Sequence, residues 1–336
     1  MSELPGSSAS QHPAERGPTD EQLREIVGMA VRAPSLHNTQ PWRFRLGEGC
    51  IEVLADNDRT PPIADPHGWA VRVAGGAALY NARLGYHRFG CEPAVSLLPD
   101  ASAPDLLARI QPHRPRPATP AEQALIAAVP RRHSNRHPFA DTPLPATQRA
   151  ALATVASAEG AWLALVDHPG QVSDIAALLR AADHELARRP GYLQELRSWG
   201  RMDGRAADGV PHDRSGPPPM DGELLPRRDF GTTAGTGQRG FESDPVLAVL
   251  GTAGRSAADD IRAGTALQRV LLTLTDGGLV ASMFSQPIEV PDIRAKLGAI
   301  CRRQGTTHMV LRIGYGIRSR SPARRPVDET IIPPTP

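Results

Sequence analysis

Lysine is almost missing from this chain: Lys296 is the single one among 38 basic residues. With 31 Gly and 34 Pro alongside, the arginine excess is a compositional bias, so only arginines at particular spacings carry functional weight. Charge of one sign is lacking too. A net charge of +2 excludes the strongly basic surface that a nucleic-acid or acidic-membrane partner requires. Cysteine is scarce: Cys50, Cys91 and Cys301 are scattered without a CxxC, which argues against a disulfide framework or a zinc site. No apolar run approaches the roughly 20 residues that span a membrane. Residues 1–18 are polar and lack the apolar segment of a signal peptide, so a disordered tail and a cytoplasmic location are expected. There is no GxSxG and no readable Ser-His-Asp arrangement, which leaves hydrolase chemistry without support.

What is present is enough apolar material, 40% of 336 residues, for one large domain or two smaller ones. The chain is organised around Arg32-Ala-Pro-Ser-Leu-His-Asn-Thr-Gln-Pro-Trp-Arg-Phe44. It follows a helix that Thr19 caps and Pro34 stops, and it leads into a strand at Trp42. Ser35, His37, Asn38, Thr39 and Gln40 crowd hydrogen-bonding groups between two stiffening prolines. Such a loop suits a polar, planar partner. Strands follow at 42–46 and 51–54, then a helix from Gly68 to about Phe89 whose Gly75-Gly76 suits close helix packing. Short strands are expected at 95–98 and 106–110. Pro112, Pro115 and Pro117 mark a linker over 112–118.

The second half starts over with helix, polar loop and strand-helix units. Regular structure thins between about 190 and 244. An insertion of that length is either a lid or a surface loop. Its Gly235-x-Gly-x-x-Gly240 matches a dinucleotide fingerprint, but no strand precedes it, so the match is rejected. A helix from Ala257 to about Met283, broken at Gly277-Gly278, a turn at 285–289, a helix over 291–300 and a core strand at 308–316 complete the plan.

Arg131-Arg132-His133-Ser134-Asn135-Arg136 sets planar, permanently charged donors around a hydroxyl, which suits a phosphate; the alternative is a solvated turn. Arg324 and Arg325 could close the same site. Gln286-Pro287-Ile288-Glu289 offers backbone amides or is simply a turn. His37 has no second ligand at metal spacing, and Pro138 opposes a helix carrying His133 and His137, so no metal is expected.

Together these pieces resemble the FMN-dependent nitroreductase family. Pro34 to Trp42 is similar to its N-Q-P-W segment. Arg132-His-Ser134-Asn-Arg136, with Phe139 after it, is similar to its R-x-S-x-[KR] phosphate segment. Pro287-Ile288-Glu289 resembles its P-I-E-G turn, with Val290 in place of the glycine. Pro322-Ala-Arg324-Arg325 resembles its late basic segment. The first half lacks R-x-S-x-R before its loop, and the second lacks N-Q-P-W after Phe139. That split resembles the Acg subfamily, dormancy-associated proteins with two fused lobes; its L-R-I-G-Y-G strand is matched by Leu311 to Gly316.

The resemblance implies an α+β nitroreductase-like fold: two lobes in one chain forming an internal pseudo-dimer. The lobes are expected at 19–111 and 119–336, the second carrying a lid at about 190–244. One FMN is implied between them. The implied cofactor-binding set is Pro34, Ser35, Leu36, His37, Asn38, Gln40, Arg132, Ser134, Arg136, Pro287, Ile288, Glu289, Arg324 and Arg325, with no catalytic residue assigned. Either a lid-covered protein that binds or sequesters FMN with little turnover follows, or an NAD(P)H-dependent oxidoreductase that passes hydride in ping-pong fashion to a planar nitroaromatic or quinone. A monomeric pseudo-dimer or a weak homodimer, without nucleic-acid or membrane partners, is expected.

Overall fold

The computed structural model describes residues 17–166, 168–217, 223–226, 228–231, 241–242, 244–317 and 321–333. The first sixteen residues of the expected tail and the Gly235–Gly240 match lie outside them. The first lobe contains α1 (Asp20–Ala30), β1 (Trp42–Gly47), β2 (Cys50–Ala55), α2 (Trp69–Arg88), β3 (Cys91–Leu97) and β4 (Leu106–Pro115). A capping box between Thr19 and Gln22 starts α1, whose buried face is Leu23, Ile26, Val27 and Ala30. The second contains α3 (Pro120–Ala128), β5 (Phe139–Ala140), α4 (Ala146–Ser157), β6 (Trp162–Val166) and α5 (Pro169–Ala187). The insertion follows with α6 (Tyr192–Ser198), β7 (Gly200–Arg201) and β8 (Val210–Pro211). Then come β9 (Val246–Thr252), α7 (Ala257–Asp276), β10 (Val280–Phe284), α8 (Gln286–Glu289), α9 (Pro291–Ile300), β11 (Thr306–Gly316), α10 (Val327–Thr330) and β12 (Ile331–Ile332).

Each lobe has its own sheet, in the order β12-β1-β2-β4-β3 for the first and β10-β11-β9-β6 for the second. Between them α2 crosses α7. A Cβ on Gly76 would collide with the Ile261 carbonyl, and one on Gly264 with the Val73 carbonyl, so glycine is what lets the two helices touch. Polar pins cross the same seam. Gln268 Nε2 donates to Asn81 Oδ1 at 2.7 Å, and Arg72 Nε donates to Asp260 Oδ2 at 2.8 Å. An internal pseudo-dimer therefore buries the surface through which two separate chains would have associated.

Three sequence expectations are corrected. Residues 112–115 are not linker but the end of β4. Beyond Ile110 this strand pairs only with β3, so its prolines break no ladder on the other side. The helix expected to reach Met283 ends at Asp276. Gly278 takes φ 76°, and 280–284 becomes β10, whose alternating apolar residues pair with β11. The C-terminal segment does not stay with the second lobe: β12 adds to the first sheet in parallel with β1, Ile331 opposite Phe44. That crossing carries Arg324 and Arg325 to the 31–42 loop. Among the described residues no helix is long and apolar enough to cross a membrane.

Candidate functional site

The polar loop is held open by strain. His37, Asn38 and Gln40 have φ of 51°, 58° and 54°, a left-handed conformation that few non-glycine residues adopt. Two anchors compensate. Ser35 Oγ accepts from Gln40 N at 2.9 Å, and Trp42 is fully buried beneath the exit. Pro34, Ser35, Leu36 and His37 thereby form one wall of a cleft between the lobes, of about 950 Å³ counting the solvent at its mouth. Trp69, Ala70, Val73 and Ala74 from α2 make another wall, and Ser282 to Gln286 a third.

Arg136 reaches this cleft because 134–135 lies along the edge of β10: Ser134 bridges Ala281, and Asn135 N donates to Ala281 O at 2.9 Å. Burial, then the charge of Arg228, pulls Arg136 down to about 10. It stays charged at neutral pH, stacked over Phe230 at 5.6 Å. His37 is held well below its usual pKa by burial first, then by Arg228 and Arg136, so it is neutral. Its Nε2 lies 3.4 Å from Arg228 Nη1 and acts there as acceptor.

The loop's other face is the anion end. Arg132, 3% exposed, donates from Nη2 to Arg32 O at 3.1 Å, while its Nε and Nη1 are buried with no partner. Arg324 donates from Nε to Val31 O at 3.0 Å, from Nη2 to Ala33 O at 3.4 Å and from Nη1 to Pro322 O and Ala323 O at 3.2 Å, so what it offers beside Arg132 is its charge rather than a free donor. Burial lowers Arg132 to about 10, and burial with the Arg132 and Arg32 charges lowers Arg324 to about 9. Arginines from two distant segments are thus brought together around one backbone turn, and among the described residues no carboxylate pairs with either. That is the electrostatics of an anion site.

The remaining sequence candidates fall elsewhere. Asn38 Nδ2 donates to Gly209 O at 3.0 Å and Gln40 Nε2 to Ala207 O at 2.7 Å, so both hold the insertion rather than face the cleft. Arg325 is occupied by Gln40, Asp56 and Glu329. Ser134 lies between the two ends, outside the cleft lining. Pro287 and Ile288 pack away from the cleft, Ile288 in the second lobe's core. Glu289, read as a ring neighbour, is a buried counterion: it pairs with Arg228 and accepts from Tyr192 Oη at 3.0 Å. Against the burial that pulls it down, Glu289 raises the pKa of Arg228. Within the one helical turn at 286–289, Gln286 lines the cleft while Glu289 is taken up by Arg228 and Tyr192.

Sequence reasoning missed the α2 wall, Arg312 and the residues of the insertion. Ser215, Leu225, Arg228 and Phe230 all line the cleft, and Phe230 meets the His37 ring edge-on at 5.4 Å. Arg312 is stacked 3.9 Å over Phe139 and paired with Glu242 at 3.3 Å. An arginine inside the apolar strand 308–316 was the one available signal for it.

No model of a known protein family matches the chain. Full-length relatives do. "Putative NAD(P)H nitroreductase Rv3131" of Mycobacterium tuberculosis is 31% identical over 325 residues, 95% of this chain and 90% of the relative. "Putative NAD(P)H nitroreductase acg" of the same species is 27% identical over 319 residues, 93% of this chain and 95% of the relative. Among solved structures, a nitroreductase with bound FMN from Desulfitobacterium hafniense aligns over 62% of this chain and 97% of its own at 11% identity, with a TM-score of 0.39.

Proposed function

The chain belongs to the nitroreductase family of its mycobacterial relatives, and on that premise we propose that it binds one FMN between its lobes, covers it with the 190–244 insertion, and turns over slowly. The observation that carries the reading is Arg132: a buried cation with two unpartnered donors beside Arg324, with no carboxylate among the described residues to neutralise either. A phosphate dianion satisfies both requirements. In this reading Arg132, with the charge of Arg324 beside it, takes the phosphate. Pro34, Ser35 and Leu36 flank the planar ring, and Arg136 with Gln286 supplies donors to its polar edge. When bound, the flavin supplies two-electron redox chemistry; the chain orients it, desolvates it and controls access.

Slow turnover is supported by what lines the cleft. Leu225 and Phe230 of the insertion share it with the ring-facing loop. Arg228 fastens the insertion to Glu289 through an ion pair whose side chains are 9% and 0% exposed. A nicotinamide and then an acceptor must each stack on the ring, and opening this cover separates a desolvated charge pair. The second reading, an active NAD(P)H oxidoreductase for nitroaromatics or quinones, is favoured by the names of the relatives. Anaerobic mixing of holoprotein with NADPH separates the two. Loss of flavin absorbance only over many minutes supports the slow reading, and bleaching within seconds supports the oxidoreductase. Protein that stays flavin-free after incubation with FMN defeats both. The expected stoichiometry is one flavin per chain, because only one loop of this kind meets one arginine segment.

A further inference from the structure

The insertion also packs against the arginine segment 132–136. Arg136 Nη1 donates to Arg214 O at 3.3 Å. Gly216, at φ 81°, passes so close that a Cβ there would lie 2.6 Å from the Arg136 carbonyl oxygen. The insertion backbone is therefore pressed onto the R-x-S-x-R segment, and it brings a further arginine. The Arg214 side chain is 16% exposed. Its Nε sits 3.4 Å from the half-exposed carboxylate of Asp213, while its Nη1 is buried with no partner.

His133 feels the charges of both Arg132 and Arg214. Its Nδ1 is 2.9 Å from Arg131 O, which makes Nδ1 the protonated nitrogen and leaves Nε2 bare; that Nε2 is also buried without a partner. Burial, then the charges of Arg132 and Arg214, lowers its pKa. Arg132 Nε and Nη1 on the body and Arg214 Nη1 on the insertion are thus three buried donors without a partner among the described residues, and both arginines are near enough to His133 to act on its charge. Buried donors left this way cost about 1–3 kcal/mol each, and a native fold retains such a cluster where a ligand satisfies it. The neighbouring ion pair does not remove the need. An adjacent-residue pair with a half-exposed carboxylate contributes little, and it does not use Nη1.

We propose that Arg214 is an anion ligand contributed by the insertion: with Arg132 it grips the phosphate of the bound FMN, so that phosphate occupancy fastens residues 210–216 over the cleft. This rests on the FMN reading above and adds that closure responds to the phosphate rather than to the ring. Arg132, with the charge of Arg324 beside it, holds the group from the body, and Arg214 reaches it from the insertion. A flavin without a phosphate then fills the ring pocket and leaves the cover unfastened.

The test uses the full-length apoprotein with FMN, riboflavin and inorganic phosphate, reading hydrogen exchange over 199–217 and flavin affinity by fluorescence quenching. FMN is expected to protect the segment strongly, millimolar inorganic phosphate partly, and riboflavin not at all. Arg214→Gln is expected to weaken FMN at least tenfold while leaving riboflavin affinity unchanged, which also shows that the variant is folded. Arg214→Lys should restore part of the loss. FMN binding by Arg214→Gln within twofold of wild type, or equal protection by riboflavin, overturns this proposal alone. Wild-type protein that binds neither flavin overturns the FMN reading and this proposal together.

Discussion

Replacing Arg132 with methionine should push the apoprotein and the holoprotein in opposite directions. In the apoprotein the guanidinium is a buried charge with one hydrogen bond, Nη2 to Arg32 O, and two idle donors. Burial holds its pKa at about 10, below the 12.5 of the exposed group. At neutral pH the arginine is charged in both folded and unfolded states, so the whole penalty acts against folding. It amounts to about 3 kcal/mol at 1.36 kcal/mol per pH unit. The lost Arg32 contact returns roughly 1 kcal/mol of that. Methionine fills most of the vacated volume without a charge, so the apoprotein should gain about 2 kcal/mol rather than lose stability. FMN binding should suffer. Two charge-assisted bonds at about 1.5–3 kcal/mol each translate into a loss of roughly a hundredfold to ten-thousandfold in affinity. Urea denaturation of the apoprotein and FMN titration by fluorescence quenching measure the two effects, with riboflavin as the control for the ring. Unchanged FMN affinity, or an equal loss for riboflavin, removes Arg132 from the phosphate site. A destabilised apoprotein shows instead that the arginine is a structural element with a satisfied charge.

Other outcomes follow from the same geometry. His37 is held below its usual pKa mainly by burial, so the unfolded chain binds a proton near pH 6.5 that the folded one refuses. Apoprotein stability should be insensitive to His37 above that pH and fall as pH drops below it; denaturation midpoints at pH 7.5 and 5 should show a shallower decline in His37→Gln. Glu289→Gln leaves Arg228 buried and unneutralised and should cost about 3–5 kcal/mol by chemical denaturation. Adding Arg228→Met should recover most of that loss, whereas strictly additive effects would mean the two charges are not coupled. Gly76→Ala drives a Cβ into the Ile261 carbonyl at the α2–α7 crossing, so a loss of about 3 kcal/mol or more is expected in urea unfolding, and a neutral effect would disprove the close approach.

The sequence by itself determined the elements and most of the chemistry. Thr19, Pro34 and Trp42 fix where helix, loop and strand begin, because capping, the proline constraint and burial of a large side chain act over a few residues. The arginine segment 132–136 and the loop 34–42 stand out in the sequence because their residue types suit an anion and a planar ring wherever they lie. Which members of each motif face the ligand was not legible. A single φ reversal at His37 or one turn of helix at 286–289 sends neighbouring side chains in different directions. Only tertiary structure brought Arg324 beside Arg132 by carrying the C-terminal segment onto β1, and only it put Arg228 and Phe230 of the insertion against the cleft. Those placements depend on contacts between residues a hundred or more positions apart, whose energies come from burial and charge pairing across the lobes, and local sequence carries no record of such pairings.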